Sequence, residues 1–409
     1  MDRGLRIAVV NRFAPPDAAV TGRAALGLAQ ALRAALPRAV VRLYATTATY
    51  DAPAAPAPGT TALASGVEIH RVAGSGGDGR GLARLVAGLR DGQRLARVAA
   101  AWADVVISLT DPPLLAVWLA AARLRRPFRW AEWTMDLYPE AFAAAGLVRA
   151  QSPLLRALRR VLAAGRPDLY LALGAQQREA VLARRAAGAT PAFLLPCGVV
   201  PAGTAPGPVP AWKRAAGGRA VLAYAGNLGA AHGGAGLVRL VRLADPARFA
   251  FVLALHGSGA DAVRARLADA PHVAFVPRLE HAELLHADVH IASLRPEWSH
   301  VCVPSKAVSS LCLGRPVLFM GGPESDIWHL VHRAGWCVPA LPGGDADAAA
   351  LARALDEIAD PELLARRTAT ARLRGEALRR LEQGTVRELV RWCAAVAAPA
   401  AGRLGEAAA

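Results

Sequence analysis

The feature that most narrows the fold of this chain is an alternation of short apolar runs and helical patterns that stops once and then resumes. Apolar, strand-like runs stand at 6–10, 40–44, 67–72, 105–109, 128–133 and 169–173, with helical patterns between them, notably at 22–35 and 82–101. Pro196, Pro201, Pro206, Pro208 and Pro210 then crowd one segment. That density suits an extended linker and opposes both helix and central strand. A second series follows at 220–225, 249–255, 273–275, 289–293, 316–319 and 335–338. Strands that alternate with helices build parallel sheets with crossover helices, so the expectation is two α/β domains in tandem. The 409 residues suit two domains of roughly 200 residues each. We expect a first domain at 1–200 and a second at 215–377. The last helical pattern, about 378–409, comes after the second sheet is complete and is free to cross back onto the first domain.

Hydrophobic residues make up 54% and charged residues 20%, enough for substantial cores. A net charge of +16 raises the question of nucleic acid. Only Lys213 and Lys306 among the 48 basic residues are lysines, a bias that matches GC-rich coding and weakens any argument from total charge. The excess sits in the first half: residues 1–200 hold 25 arginines against 13 acids, and the remainder 23 basic residues against 19 acids. With aromatics at only 5% and none of the recognisable nucleic-acid modules present, nucleic acid is not an expected partner. Cys197, Cys302, Cys312, Cys337 and Cys393 form no CxxC pair and no zinc spacing, so reduced, mostly buried thiols are expected and no metal site. The opening residues lack the apolar core and cleavage site of a signal peptide. The most apolar stretch, 99–122, is broken by Asp104, Asp111 and Pro112-Pro113, short of a membrane span. A soluble cytoplasmic protein is the expectation.

The strongest local signal is Gly226-Asn227-Leu228-Gly229, where a buried run meets a glycine-rich turn that continues to Gly233-Gly234 before a helical pattern. Glycines allow close backbone approach, and a helix N-terminus supplies free amides and the positive dipole end. Such a turn is either a pyrophosphate cradle or a plain strand-to-helix connection. Downstream, Ser305-Lys306 opens another helical run. A lysine in a chain that almost never uses lysine suits a phosphate, and Ser305 suits an N-cap that also donates to phosphate. The alternative is a surface lysine behind a capped helix. After the first run, 11–27 carries Pro15-Pro16 and no GxGxxG, which disfavours an NAD-linked dehydrogenase.

Taken in order, Gly226-Asn227-Leu228-Gly229, Phe275-Val276-Pro277-Arg278, Ala287-Asp288-Val289, Pro304-Ser305-Lys306 and Gly314-Arg315-Pro316-Val317 resemble glycosyltransferase family 4, with the closest look to its bacterial surface-polysaccharide branch. Val10-Asn11-Arg12-Phe13-Ala14-Pro15-Pro16 and Asp136-Leu137-Tyr138-Pro139-Glu140 match that branch too, so the likeness covers nearly the whole chain. The resemblance implies a GT-B fold, in which two Rossmann-like domains with parallel sheets face each other across a cleft. It also implies a nucleotide-diphosphate sugar as donor, UDP-type favoured, no cofactor or obligatory metal, and retention of anomeric configuration. On that resemblance Gly226 to Gly229 cradle the diphosphate, Lys306 neutralises it, the backbone near Arg278 meets the nucleobase, and Arg295 reaches the donor. Asp136 and Glu140 face the cleft near the acceptor or sugar, unless they serve only as a helix cap and a first-turn acid.

The chain departs from the broad pattern at two places. Where two glutamates are expected before Gly314, Ser309 and Val301 stand instead. Glu297 is a candidate replacement for the first acid, and Glu324 a candidate to approach the sugar. His232 occupies the place of an expected basic residue after the diphosphate turn, with an imidazole able to donate to phosphate. Catalysis on this reading is leaving-group electrostatics, amides and Lys306 stabilising the departing nucleoside diphosphate.

Between 79 and 101, Arg80, Arg84, Arg90, Arg94 and Arg97 alternate with Leu82, Leu85, Val86, Leu89, Leu95 and Val98, an amphipathic basic pattern that suits an anionic membrane surface or a solvated helix face. Arg123, Arg125, Arg126, Arg129, Arg156, Arg159 and Arg160 add to that half. The resemblance implies a glycan or lipid-linked acceptor, for which peripheral membrane contact is useful. Two other functions stay open: a nucleotide-sugar epimerase on the same scaffold, and a non-catalytic nucleotide-sugar-binding partner.

Overall fold

The computed structural model describes residues 4–17, 19–49, 57–75, 82–184, 189–341 and 344–396. Its first half is an eight-stranded sheet of β1 (Arg6–Val10), β2 (Val40–Thr46), β3 (Gly59–Ala62), β4 (Glu68–Val72), β5 (Val105–Leu109), β6 (Arg129–Thr134), β7 (Leu169–Ala172) and β8 (Ala192–Leu194), in the order β3-β4-β2-β1-β5-β6-β7-β8. Every pairing is parallel except the β3–β4 hairpin at one edge. The helices of this half are α1 (Val20–Ala35), α2 (Leu82–Trp102), α3 (Leu115–Arg123), α4 (Glu140–Ala144), α5 (Pro153–Ala164) and α6 (Ala175–Arg184).

After α7 (Ala211–Ala215) comes a second, wholly parallel sheet of β9 (Ala220–Asn227), β10 (Phe249–His256), β11 (Val273–Phe275), β12 (Val289–Ser293), β13 (Val317–Gly321) and β14 (Gly335–Pro339), ordered β11-β10-β9-β12-β13-β14. It alternates with α8 (Gly234–Leu243), α9 (Ala260–Arg266), α10 (His281–Leu284), α11 (Ser305–Cys312) and α12 (Asp326–Val331), and is followed by α13 (Ala348–Ile358) and α14 (Pro361–Ala394). The buried strands of both sheets are near-continuous apolar runs, as parallel sheets covered on both faces require.

Strands β3 and β8 were not expected. The first is four exposed residues and the second three half-buried ones, too short and too weakly apolar to stand out. The terminal helix starts well before 378. Asp360 caps it by accepting from the Glu362 and Leu363 amides, and Pro361 takes the first helical position, where its missing N–H costs nothing. Residues 397–409 lie outside the described residues, as does Arg80.

Helix α14 does cross back. Thr385 donates to the Leu194 carbonyl at 2.6 Å, and Arg379 Nε to that of Val200 at 2.8 Å. Arg129 of β6 lies over the Trp392 ring at 4.3 Å and donates to its carbonyl at 3.0 Å. One apolar cluster accordingly runs through both halves, from Ile7 and Val9 through Leu171 and Val308 to Leu389 and Cys393.

Candidate active site

In an open parallel sheet a ligand binds at the C-terminal edge where strand order reverses. In the second sheet that point lies between β9 and β12, and the Gly226 turn leaves the end of β9. Gly226 has φ +131°, a conformation that favours glycine, and a side chain there would meet Lys306 Cε and Nζ at 3.7 Å. Leu228 pins the turn. Its amide donates to the His256 carbonyl at 2.6 Å, its own carbonyl accepts from Gly259 at 3.0 Å, and its side chain is buried.

Lys306 stands in the first turn of α11 and reaches back to β9. Its ammonium donates to the Tyr224 hydroxyl at 2.7 Å and to the Asn227 carbonyl at 3.5 Å, lying 4.1 Å from the Tyr224 ring centroid. Burial lowers its pKa to about 7, against an opposing pull from Cys302. Such an ammonium gains much from an arriving polyanion, since charge compensation restores what burial removes. Tyr224 escaped sequence analysis because a tyrosine inside a buried strand reads as core; its hydroxyl acquires a role only at the strand's end.

His232 is turned to a different task from the one expected. Its Nδ1 faces the Ser293 carbonyl at 2.5 Å, and a carbonyl only accepts, so Nδ1 carries the proton. Burial and the nearby Lys306 charge push the imidazole pKa down to about 3, despite the opposing carbonyl bond. The ring is therefore neutral at pH 7, and Nε2 offers a lone pair rather than a proton for phosphate.

Ser305 is not the N-cap of α11. Pro304 holds that position without a side-chain cap, and Ser305 is the first helical residue. Gly198 (φ +90°) packs against it so closely that a Cβ would stand 2.7 Å from the Ser305 carbonyl oxygen. The Ser309 hydroxyl donates to the Lys306 carbonyl at 3.1 Å within its own helix. Arg295 joins the two edges of the switch point, its amide donating to the Ala231 carbonyl at 2.9 Å, and its guanidinium pairs with the half-exposed Glu297 at 3.4 Å. Glu324 accepts from Ser299 at 2.5 Å, joining the loops after β12 and β13. Arg278 lies apart from this group. It pairs with Glu280 in an exposed contact beyond β11, at the sheet's outer edge.

The first sheet reverses between β1 and β5, and its C-terminal edge meets the second half along a seam. There Arg12 donates its amide to the Asp111 carbonyl at 2.8 Å, and its guanidinium forms a buried ion pair with Asp91 at 3.0 Å. Asp136 takes its amide to the Thr110 hydroxyl at 2.9 Å and bridges to Cys302, while the Leu137 amide reaches the Val301 carbonyl at 2.7 Å. Burial, then the charge of Asp111, pushes the Asp136 carboxyl up to about 7. Asp136 and Lys306 both act electrostatically on the intervening Cys302 thiol, which burial raises well above its ordinary value. The seam thus brings a carboxyl from the first half and an ammonium from the second within electrostatic reach of one residue.

Glu140 is not gathered with them as a free acid. It is buried at the start of α4, and Arg159 of α5 donates to its Oε1 at 2.9 Å. That ion pair needs a tertiary contact between two helices, which no local pattern announces.

No family model matches this chain. A curated relative, the probable glycosyltransferase WbjE of Pseudomonas aeruginosa, is 27% identical over 277 residues, spanning 64% of this chain and 67% of that one. Sucrose-phosphate synthase from Thermosynechococcus elongatus superposes with a TM-score of 0.71 at 19% identity, covering 96% of this chain and 100% of its own. The Anabaena protein Alr3699/HepE in complex with UDP and glucose does so with a TM-score of 0.63 at 15% identity, covering 94% and 99%. With one sheet parallel but for its edge hairpin, a second sheet wholly parallel, and a terminal helix that returns to the first half, the chain has the GT-B fold and is similar to glycosyltransferases.

Proposed function

We propose that this chain transfers a sugar, with retention of configuration, from a UDP-type nucleotide sugar to a glycan or lipid-linked acceptor of cell-surface polysaccharide synthesis, at the inner face of the cytoplasmic membrane. The single observation that carries the reading is Lys306. Its half-buried ammonium stands against Gly226 and Asn227 at the reversal of the second sheet, and Asp136 lies across the seam. Breaking a glycosyl–phosphate bond leaves negative charge on the nucleoside diphosphate and oxocarbenium character on the sugar. Lys306, beside the glycine turn at 226–229, stabilises the first of these charges. Asp136, with a pKa near 7, is able to hold or release a proton beside the acceptor hydroxyl or the sugar. The UDP bound to the Anabaena neighbour supports the choice of donor. We extend the proposal to the domain division, residues 1–200 with the terminal helix carrying the acceptor side and 215–377 the donor side.

The test is a thermal-shift screen of UDP, GDP, ADP and dTDP against the wild type and Lys306→Ala. A nucleotide at ~100 times its Kd adds about 2.7 kcal/mol by mass action. A shift with UDP that shrinks in Lys306→Ala supports the donor site, and no shift with any nucleotide removes it. Release of free UDP during turnover then separates transfer from epimerisation, which leaves the diphosphate ester intact.

A further inference from the structure

We propose that the outer face of α5, with the adjoining turns at Leu124-Arg125 and Leu147-Val148-Arg149, docks on an anionic lipid surface. The inference rests on the lipid-linked acceptor reading above, and it names the part of the molecule that meets the lipid.

Helix α5 anchors itself with one stripe. Leu155 and Leu162, two turns apart, are both buried. A second pair with the same spacing, Leu154 and Val161, does not follow them inward and stays 58% and 47% exposed. Leu147, just before the helix, is 64% exposed. Leu124, at the end of α3, is 89% exposed, and that end adjoins α5: Gly165 packs on Ala120, and Arg123 donates to the Arg166 carbonyl. A single exposed leucine means nothing, but two large aliphatics on one line of the helix, with a further one exposed near each of its ends, are more than scattered surface residues.

Helix α5 and its flanking turns also carry exposed Arg125, Arg149, Arg156, Arg160 and Arg166. The acids that could offset them are already engaged. Glu140 accepts from Arg159, and Asp168 accepts from Arg123 and from the Trp130 amide. At about 100° per residue, Leu154 and Val161 share one line of the helix, and Arg156 and Arg160 another roughly 120° round, with the small Ala157 and Ala164 between. Parallel apolar and cationic stripes suit a lipid interface, where aliphatics enter the acyl boundary and guanidiniums meet the phosphates. The exposed apolar residues are all aliphatic, whereas protein interfaces and single-stranded nucleic acid favour aromatic contacts.

Helix α2, the helix expected to dock, is a poorer fit. Its described part turns Leu95, Ala96 and Ala99 into the core and ties Arg94 to the Ala73 carbonyl. Helix α5 also communicates with the seam, because Arg159 holds Glu140 at the head of α4, and α4 follows directly on the Asp136 turn.

The test is flotation of the full chain with vesicles of phosphatidylcholine alone and of phosphatidylcholine with phosphatidylglycerol. Variants are the doubles Leu154→Gln/Val161→Gln and Arg156→Gln/Arg160→Gln, with the UDP thermal shift recorded for each. The wild type should float with the anionic vesicles only, and added salt should weaken this. The arginine double should bind roughly thirtyfold more weakly, at about 1 kcal/mol per arginine, and the aliphatic double should also lose binding. Both doubles should keep the UDP shift, which shows that they fold. Equal behaviour with both vesicle types, or doubles that float like the wild type, overturns the proposal. Capture on immobilised polyglutamate without vesicle flotation also overturns it, in favour of an acidic protein partner. Flotation that persists in a chain with no UDP shift retains the docking face and removes the transferase reading instead.

Discussion

Asp326 holds Gln177 across the seam. Its Oδ2 accepts from the Gln177 amide at 2.9 Å, and its Oδ1 accepts from the neighbouring Gln176 amide, also at 2.9 Å. The carboxyl group thus serves the open N-terminus of α6, in the other half of the molecule, as a capping residue ordinarily serves its own helix. Gly174 lies directly beneath, where any side chain would collide with the carboxyl group. The Gln177 side chain adds to the join, donating toward the Met135 and Val301 carbonyls at 3.4 Å.

Replacing Asp326 with Ala should therefore loosen the two halves. Two charge-assisted bonds are lost, leaving one buried and one partly buried amide without partners, at a cost of roughly 1–3 kcal/mol. Urea unfolding measures the loss, and hydrogen exchange should quicken at the Gln176 and Gln177 amides first. Unchanged exchange there means that the clamp does not join the halves.

Lys306 makes donor affinity depend on pH. Its amine titrates near 7 in the free protein, and a bound diphosphate favours the ammonium, so binding raises that pKa. UDP affinity should then fall as pH rises from 7 to 9, with proton uptake on binding visible as a buffer-dependent calorimetric heat. Tyr224→Phe removes the hydroxyl that receives the ammonium, and should weaken UDP by about five- to tenfold, the worth of one hydrogen bond near 1 kcal/mol. Lys306→Ala should abolish the pH dependence altogether.

Asp136 should work against stability as the solution becomes alkaline. Its folded pKa of about 7 lies above the ordinary 3.8, so the folded state holds a proton that the unfolded chain releases. Its contribution is full below pH 4 and is lost as pH rises through 7, a change on the order of 4 kcal/mol. Asp136→Asn should be the more stable protein at pH 8 and show a flatter profile from pH 4 to 7. Denaturant melts across that range compare the two, and parallel profiles would refute the assignment.

Gly375 marks the closest approach of α14 to α11. A Cβ there would collide with the Leu311 carbonyl and crowd Cys312 Cα at 2.8 Å, backbone atoms that cannot swing aside. Gly375→Ala should destabilise by about 1–3 kcal/mol despite alanine's better helix propensity, as thermal melts will show.

What the amino-acid sequence determined is local and periodic. The buried runs of β1, β5, β9 and β12 were legible because strands covered on both faces must be apolar throughout, and the glycine turn after β9 because few residues tolerate the φ of Gly226. The start of α14 at Asp360-Pro361 carried a legible cap, though the pattern further along drew attention away from it. Tertiary structure alone decided which polar groups meet. Arg159 takes Glu140, Asp326 caps a helix of the other half, Tyr224 receives Lys306, and Ser293 orients His232. Periodicity reports which face of an element is buried. The partner of a buried charge depends on how the two sheets are brought edge to edge, and that relationship has no period in the sequence.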